Sequence, residues 1–191
     1  EYIHVDVMDN HFVPNLTTGP VVVKSIKPLT KIFLDVHLMV EHPEDLIKPF
    51  ADAGADGITF HVEAAEEPGL VIDLIRSTNK QIGISLKPQT PFSMIEPFLD
   101  QIDLLLIMSV EPGFGGQEYI PSSTRKIKDI HQRLIKFGLR DRILIEIDGG
   151  IKLTNAEEIA KAGAEILVAG SEIFQSENPV QTIQKFKALG V

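Results

Sequence analysis

Short runs of β-branched and apolar residues alternate along the whole chain with stretches in which apolar residues recur at helical spacing. This alternation is typical of βα units that build a parallel sheet. The predicted strands are Tyr2–Val7, Ile32–Met39, Gly57–Val62, Gln81–Leu86, Leu104–Val110, Ile143–Ile147 and Ile166–Ala169. The predicted helices lie near residues 20–27, 43–53, 68–78, 92–98, 122–137, 155–162 and 179–189. Each predicted strand is therefore followed by a helix.

The number of predicted strands is one fewer than a closed (β/α)8 TIM barrel requires. An open seven-stranded barrel would leave two unpaired edges, and the sequence enters strand character directly, without a methionine. We therefore expect a single α/β TIM-barrel domain over residues 1–191 that lacks its first β-strand and helix, and so runs from the second strand to the eighth helix of the full barrel. The alternative is an open doubly wound sheet, but the sequence has no Gly-rich phosphate fingerprint after its first strand.

Composition narrows the classes of function. A hydrophobic fraction of 43% suffices for one substantial core. No apolar run approaches the roughly 20 residues needed to cross a bilayer, so we expect a cytoplasmic protein without a membrane partner. A net charge of −9 without a Lys/Arg cluster offers no basic surface to nucleic acid. Because cysteine is absent, any metal must be bound by His, Asp or Glu.

Ionisable residues interrupt three strands that should be almost continuous in Val, Ile and Leu if the barrel buries both strand faces. They are His4 and Asp6 in the first predicted strand, Asp35 and His37 in the second, and Glu146 and Asp148 at the end of the sixth. Because side chains alternate between the two faces of a strand, each pair shares one face. We expect all three pairs to face the barrel axis near the carboxyl ends of the strands.

Taken singly, each of these residues has an ordinary explanation, since a strand-end Asp often caps a helix and a buried His is more often a hydrogen-bonded core residue than a ligand. Two imidazoles and two carboxylates that converge in one interior, however, are costly unless they are paired or bind a metal. This ligand set suits Zn²⁺, Fe²⁺ or Mn²⁺. We therefore predict a metal site formed by His4, Asp6, His37 and Asp148.

Glycine-containing loops follow the last three predicted strands. The loop 111–117, with the sequence EPGFGGQ, is either a lid that carries backbone donors or an ordinary turn. Gly149-Gly150 and Gly170-Ser171 occupy the positions where barrels commonly bind phosphate with loop amides and a helix N-terminus. An anionic ligand is therefore compatible with the acidic net charge.

Three methionines lie on or near the same strand faces as the carboxylates: Met8, Met39 and Met108. Their spacing alone fits gap-filling core residues as well as it fits the lining of a functional site. Their position beside the carboxylates favours the lining of a site.

Six blocks of the sequence resemble, in order and spacing, those of the ribulose-phosphate 3-epimerase family. The blocks are HVDVMDNHFVPNLTTGP, DVHLMVEHPE, AGADGITFHVEA, MSVEPGFGGQ, IEIDGGI and VAGSEIF, which together extend from the start of the chain to residue 174. The resemblance implies a (β/α)8 barrel, an isomerase that acts on a small phosphorylated ketose, and a homo-oligomer. The implied reaction interconverts D-ribulose 5-phosphate and D-xylulose 5-phosphate at C3 by two-base proton transfer through an enediolate.

The same resemblance implies the roles of individual residues. Asp6 and Asp148 are the acid/base pair, and together with His4 and His37 they bind one divalent metal ion. Zn²⁺ is the ion we expect first, with Fe²⁺, Mn²⁺ and Co²⁺ as alternatives. The implied contacts to substrate or its phosphate are His37, Gly113, Phe114, Gly115, Gly116, Gly149, Gly150, Gly170, Ser171, Met8, Met39 and Met108.

The sequence departs from the family pattern at two points. Asn10 stands where the family usually has Gly, and Asn tolerates a left-handed backbone. The serine that the family places at the end of its first strand belongs to the unit that we expect to be absent. No residue of this sequence takes that role.

Three alternative functions remain open at this point. An epimerase of allulose 6-phosphate could use the same metal and carboxylates, although GFGGQ and DGGI favour the pentose enzyme. A metal-free barrel lyase or decarboxylase needs a lysine at the strand ends, whereas the first predicted strand leads into Asp-Val-Met-Asp. A truncated, inactive barrel is the third alternative, and the intact ligand residues count against it.

Overall fold

A computed structural model describes residues 2–189 of the chain. Within them the strands are β1 (Tyr2–Met8), β2 (Phe33–Met39), β3 (Gly57–His61), β4 (Gln81–Leu86), β5 (Leu104–Met108), β6 (Leu144–Asp148) and β7 (Ile166–Val168). The α-helices are α1 (Pro20–Ile26), α2 (Ile47–Ala53), α3 (Pro68–Ser77), α4 (Ser122–Phe137), α5 (Ala156–Ala162), α6 (Ser171–Phe174) and α7 (Pro179–Lys187). Short 3₁₀ helices cover Lys27–Leu29, Pro43–Asp45, Phe92–Met94 and Glu96–Gln101.

The strands form one parallel sheet in which they follow one another in chain order from β1 to β7. His4 Nδ1 on β1 lies 3.4 Å from Glu146 Oε1 on β6, so the sheet curls until distant strands meet across its interior. The predicted α/β architecture is confirmed as a nearly closed parallel barrel of the TIM type. Within residues 2–189, β1 pairs only with β2 and β7 only with β6. The unit expected before residue 1 stays a prediction.

Most predicted elements agree with the structure to within one or two residues, and three segments differ. The helix predicted near residues 43–53 is a 3₁₀ helix over Pro43–Asp45 followed by α2, which begins at Ile47. Residues 92–98 are helical, but as two 3₁₀ helices instead of one α-helix. Pro97 has no N–H to donate, and the neighbouring turns close between Ile95 N and Phe92 O and between Phe98 N and Ile95 O. The four-residue helix α6 was not predicted separately, because it is too short to show helical periodicity.

The outward faces of the strands pack against the helices in one continuous apolar layer. Val36, Ile58 and Ile84 of the sheet are fully buried there, as are Ile72 of α3 and Leu134 of α4. Burial of one such side chain stabilises the fold by about 1.5–3 kcal/mol. Within the described part of the chain, no helix is both long and apolar enough to span a membrane.

The register of the sheet determines which inward side chains are neighbours. Asp6 of β1 is level with His37 of β2, and Met108 of β5 is level with Asp148 of β6. Side chains at one level of a parallel sheet point to the same face. The polar residues of β1, β2 and β6 therefore meet inside the barrel.

Candidate metal and active site

The four predicted metal ligands converge inside the barrel. His4, Asp6, His37 and Asp148 each offer one ligand atom, and these atoms all lie within 4.8 Å of one another. Asp6 Oδ1 is 3.2 Å from His4 Nε2 and 3.1 Å from His37 Nδ1. The His37 side chain is fully buried, whereas the Asp6 side chain is 39% exposed. The site is therefore walled by protein on the side of His37 and open on the side of Asp6.

The electrostatics of these residues fit a divalent cation. Burial, and then the nearby Asp6 carboxylate, raise the pKa of Asp148 to about 6. Burial also raises the pKa of Asp6, but hydrogen bonds from His37 and His4 outweigh it and hold that pKa well below its ordinary value. Two carboxylates that repel each other and two imidazoles with nitrogens turned toward them form a donor set suited to Zn²⁺, Fe²⁺, Mn²⁺ or Co²⁺.

Two further carboxylates lie behind His4. His4 Nδ1 is 2.5 Å from Asp35 Oδ2, and it makes a charge contact of 3.4 Å, without hydrogen-bond geometry, to Glu146 Oε1. Burial lowers the pKa of His4, but Asp35 outweighs burial and the net pKa is well above the ordinary value. Burial and then Asp35 raise the pKa of Glu146 to about 8. Asp35 and Glu146 face the barrel axis as predicted. Both lie beside Nδ1 of His4, whereas Nε2 of the same ring faces Asp6.

An open cavity adjoins the candidate metal site. It encloses about 590 Å³ of empty space, part of which is open to solvent. Asp6 and Asp148 both line the cavity. The predicted substrate contacts that line it are Met8, Met39, Met108, Gly113, Phe114, Gly115, Gly116, Gly149, Gly150, Gly170 and Ser171. His37 does not line the cavity, because it is fully buried beneath Asp6. The contacts of all these residues with substrate stay predictions.

The Gly149-Gly150 turn forms one wall of the cavity. Gly149 and Gly150 have φ angles of 116° and 65°, in the left-handed region that favours glycine. A Cβ on Gly150 would collide with the backbone nitrogen of Tyr119. The hydroxyl of Ser109 donates to the carbonyl oxygens of Asp148 and Gly149, at 2.8 and 2.7 Å. The end of β6 is therefore fixed where Asp148 enters the site.

A second loop, residues 9–17, meets the glycine-rich loop 111–117. Asn15 Nδ2 donates to the carbonyl oxygen of Gly113 at 2.8 Å, and Val13 lies beneath Gly113. Asn10 has a φ of 61°, the left-handed conformation expected where the family usually has Gly. No role was predicted for Asn15, because its contact joins two loops far apart in the chain.

Two residues at and just after the end of β3, His61 and Glu63, were not predicted as part of the site. His61 Nε2 is 3.0 Å from His37 Nε2, and His61 Nδ1 is 3.1 Å from Glu63 Oε2. His61 is fully buried, and burial lowers its pKa to about 4. The available signal was the His61-Val62-Glu63 alternation, which repeats the polar spacing of β1 and β2.

A parallel α/β barrel with acidic and imidazole side chains beside a glycine-lined cavity places the protein in the class of TIM-barrel enzymes. The solved structure of KGPDC from Streptococcus mutans shares this fold, with a TM-score of 0.73 and 18% identity over 98% of this chain and 84% of that one. The sequence matches the model of the Ribulose-phosphate 3 epimerase family over residues 1–174. The chain belongs to this family.

Relatives of known function agree with this assignment. The ribulose-phosphate 3-epimerase of Bacillus subtilis is 43% identical over 97% of this chain and 85% of its own length. The ribulose-phosphate 3-epimerase of Synechocystis sp. is 48% identical over 96% of this chain and 80% of its own length. The predicted family and the predicted enzyme class, an isomerase, are confirmed.

Proposed function

We propose that the protein interconverts D-ribulose 5-phosphate and D-xylulose 5-phosphate by inverting the configuration at C3. Membership of the ribulose-phosphate 3-epimerase family supports the proposal. The observation that carries it is the position of Asp6 and Asp148, which approach one cavity from different strands. Inversion next to a ketone requires one group that removes a proton and another that returns a proton on the opposite face.

In the proposed mechanism, Asp6 and Asp148 exchange the roles of base and acid with the direction of the reaction. One carboxylate takes the C3 proton, an enediolate forms, and the other carboxyl delivers a proton to the opposite face of C3. Met8, Met39 and Met108 line the cavity beside them. Their apolar side chains leave water without a hydrogen-bonding path to the planar intermediate.

His4, Asp6, His37 and Asp148 would hold one divalent ion, with Zn²⁺ proposed first and Fe²⁺, Mn²⁺ and Co²⁺ as alternatives. When bound, such an ion supplies Lewis-acid stabilisation of the developing oxyanion, an effect of several kcal/mol. The two histidines serve as ligands and carry no proton in the reaction. The buried position of His37 supports this assignment, because His37 does not line the cavity.

Backbone amides would bind the substrate phosphate. Gly149, Gly150, Gly170 and Ser171 border the same cavity, and Ser171 begins α6. The first N–H groups of a helix have no acceptor within the helix and therefore suit an anion. The loop 113–116 would close over the bound sugar phosphate.

We also propose that the chain is a single TIM-barrel domain over residues 1–191, of which residues 1, 190 and 191 lie outside the described part. The single sheet and the continuous apolar layer around it support this proposal. A place in pentose phosphate metabolism follows from the proposed substrates. Self-association and a cytoplasmic location stay predictions, which sedimentation analysis and cell fractionation check.

Incorporation of solvent deuterium at C3 tests the proposed function. The protein is incubated with D-ribulose 5-phosphate in D₂O. Asp6→Asn and Asp148→Asn should each stop the formation of D-xylulose 5-phosphate, and the variant that lacks the base for this substrate should also lose the exchange. Asp129→Asn is the matched control, because this carboxylate is exposed on α4. Undiminished exchange in both active-site variants would refute the assignment. D-allulose 6-phosphate is assayed in parallel, and faster turnover of the hexose would replace the proposed substrate.

A further inference from the structure

Nε2 of His37 faces a second histidine. His37 presents Nδ1 to Asp6 at 3.1 Å and therefore to the candidate metal site. Its other ring nitrogen, Nε2, is 3.0 Å from Nε2 of His61. Both histidines are fully buried, so water does not compete for this contact. A hydrogen bond between two ring nitrogens requires that only one of them carries the shared proton.

Glu63 determines which nitrogen of His61 carries hydrogen. Glu63 Oε2 is 3.1 Å from His61 Nδ1, and Oε1 accepts the backbone N–H of Lys87 at 2.7 Å. Burial raises the pKa of Glu63, but the hydrogen bond from His61, with further hydrogen bonds, lowers it to about 2. An ionised carboxylate only accepts hydrogen bonds. Nδ1 of His61 is therefore the donor.

Without a metal ion, His37 donates from Nδ1 to Asp6. When a metal ion is bound, Nδ1 must offer a lone pair instead, and the remaining contacts then define one consistent set of tautomers. His61 donates through Nδ1 to Glu63, so its Nε2 lone pair accepts from His37. His37 then carries its proton on Nε2 and leaves the Nδ1 lone pair free for a metal. The opposite tautomer of His37 would place a proton on the nitrogen that faces the metal site.

Glu63, the last acceptor in this series of hydrogen bonds, is itself held in place. Lys126 Nζ, on α4, donates to the carbonyl oxygens of Lys87, Pro88 and Thr90 at 2.8, 3.1 and 2.8 Å. These bonds fix the loop whose Lys87 amide binds Glu63. The carboxylate of Glu63 is thus oriented from both sides.

We infer that His61 and Glu63 are positioning residues that fix the tautomer of His37 and thereby set the metal affinity of the site. Neither residue lines the cavity, so both act through His37. Hydrogen-bond partners of metal-bound histidines commonly have this effect on orientation and ligand basicity. The inference rests on the metal site of the proposed function, and it adds two residues that do not touch the metal.

Glu63→Gln tests the inference with almost no change in side-chain size. The Lys87 amide requires an oxygen at its side of residue 63, so the new NH₂ group turns toward His61 and donates to Nδ1. The His61 proton then moves to Nε2, and His37 must carry its own proton on Nδ1. The dissociation constant for Zn²⁺, measured by chelator competition, should rise roughly 10–100-fold. Glu66→Gln is the matched control in the same loop, where the side chain is exposed, and its dissociation constant should equal that of the wild type.

Two further measurements separate tautomer control from simple loss of structure. Glu63→Asp keeps an acceptor-only carboxylate and should recover part of the lost Zn²⁺ affinity. In zinc-loaded wild-type protein labelled with ¹⁵N-histidine, NMR should find the proton of His37 on Nε2 and that of His61 on Nδ1. This wild-type measurement decides the question even if Glu63→Gln fails to fold.

The possible outcomes distinguish this inference from the proposed function. If wild-type protein binds Zn²⁺ tightly but Glu63→Gln binds it equally well, or if NMR finds the His61 proton on Nε2, the positioning role is overturned and the metal site stands. If wild-type protein binds no Zn²⁺, the metal site of the proposed function falls and this inference falls with it. Weaker binding in Glu63→Gln alone, together with the expected tautomers, supports the inference.

Discussion

The two faces of the barrel strands differ sharply in chemistry. The outward face is apolar on every strand and belongs to one continuous layer between sheet and helices. The inward face carries His4 and Asp6 on β1, His37 on β2 and Asp148 on β6, all within one cluster. A period of two residues thus separates the side chains that hold the fold together from those that are suited to chemistry.

The inward face is itself divided. On β5 it is apolar, because Leu104, Leu106 and Met108 pack with Ile166 in a cluster separate from the main core. On β1, β2 and β6 it is polar. The apolar inward side chains of β5 therefore adjoin the polar site, because Met108 is level with Asp148 on the neighbouring strand. We expect substitutions on the polar inward face to change activity, and substitutions on the outward face to change stability.

The largest effect is expected from Asp148→Asn. The change removes a proposed acid/base group with almost no change in volume, so kcat should fall by about 10²–10⁴-fold. The free energy of unfolding should stay close to that of the wild type or increase, because a buried carboxyl is replaced by a neutral amide. Steady-state assays and urea unfolding measure the two quantities. A variant with wild-type kcat would contradict the assignment.

Ile84→Ala, on the outward face of β4, should lower the stability of the fold and leave kcat almost unchanged, which is the reverse of the result expected for Asp148→Asn. The Ile84 side chain is fully buried between sheet and helices, and its truncation should cost about 2–5 kcal/mol of unfolding free energy. Zn²⁺ affinity and kcat, measured at a temperature where the variant is folded, should change little. A large loss of Zn²⁺ affinity in the folded variant would show that the two faces are not independent.

A smaller effect is expected where the loops meet above the site. Asn15→Ala deletes the hydrogen bond to the Gly113 carbonyl, which should raise KM by about 2–10-fold, the equivalent of roughly 0.5–1.5 kcal/mol. Neither Asn15 nor Gly113 belongs to the metal cluster, so Zn²⁺ affinity should be unchanged. An unaltered KM would mean that this contact does not hold the loop in its binding conformation.

The smallest effect is expected at Asp56, which precedes β3 at the end of the barrel away from the site. Burial raises the pKa of Asp56, but the Leu34 amide and the Lys27 ammonium lower it below the ordinary value of 3.8. The ionised carboxylate therefore stabilises the fold above pH 3.8, and this stabilisation is lost as pH falls through the pKa of the folded state. Asp56→Asn should cost about 1 kcal/mol or less at pH 7, because the ion pair is partly exposed.

Urea unfolding of Asp56→Asn and wild-type protein across the acid range checks the sign of this effect. The difference in unfolding free energy should shrink below pH 4. A difference that grows as the pH falls would contradict the proposed role of the ion pair.

The sequence predicted most of the fold, because each strand is short, β-branched and separated from the next by a helix. It also predicted the inward direction of His4, Asp6, His37 and Asp148, since side-chain alternation is a local property of a strand. The 3₁₀ conformation of residues 92–98 was not predicted, because apolar spacing does not distinguish the two helix types over so short a segment.

Contacts that depend on register and loop path could not be predicted. The pairing of His61 with His37 requires the register between β2 and β3. The bond from Asn15 to Gly113 joins residues 98 positions apart. Nor does the alternation show that Asp35 turns to His4 and not to the metal site. Neighbours within a strand are fixed by the local sequence, whereas neighbours across strands and loops are fixed by the assembled barrel.

Metal content provides the most direct test of the four-ligand site. Wild-type protein is loaded with Zn²⁺, dialysed and analysed by mass spectrometry beside Asp6→Ala and the exposed control Asp52→Ala. We expect close to one equivalent of Zn²⁺ in the wild type and the control, and a large loss in Asp6→Ala. Less than about a tenth of an equivalent in the wild type, or equal retention by Asp6→Ala, would contradict a shared metal site at His4, Asp6, His37 and Asp148.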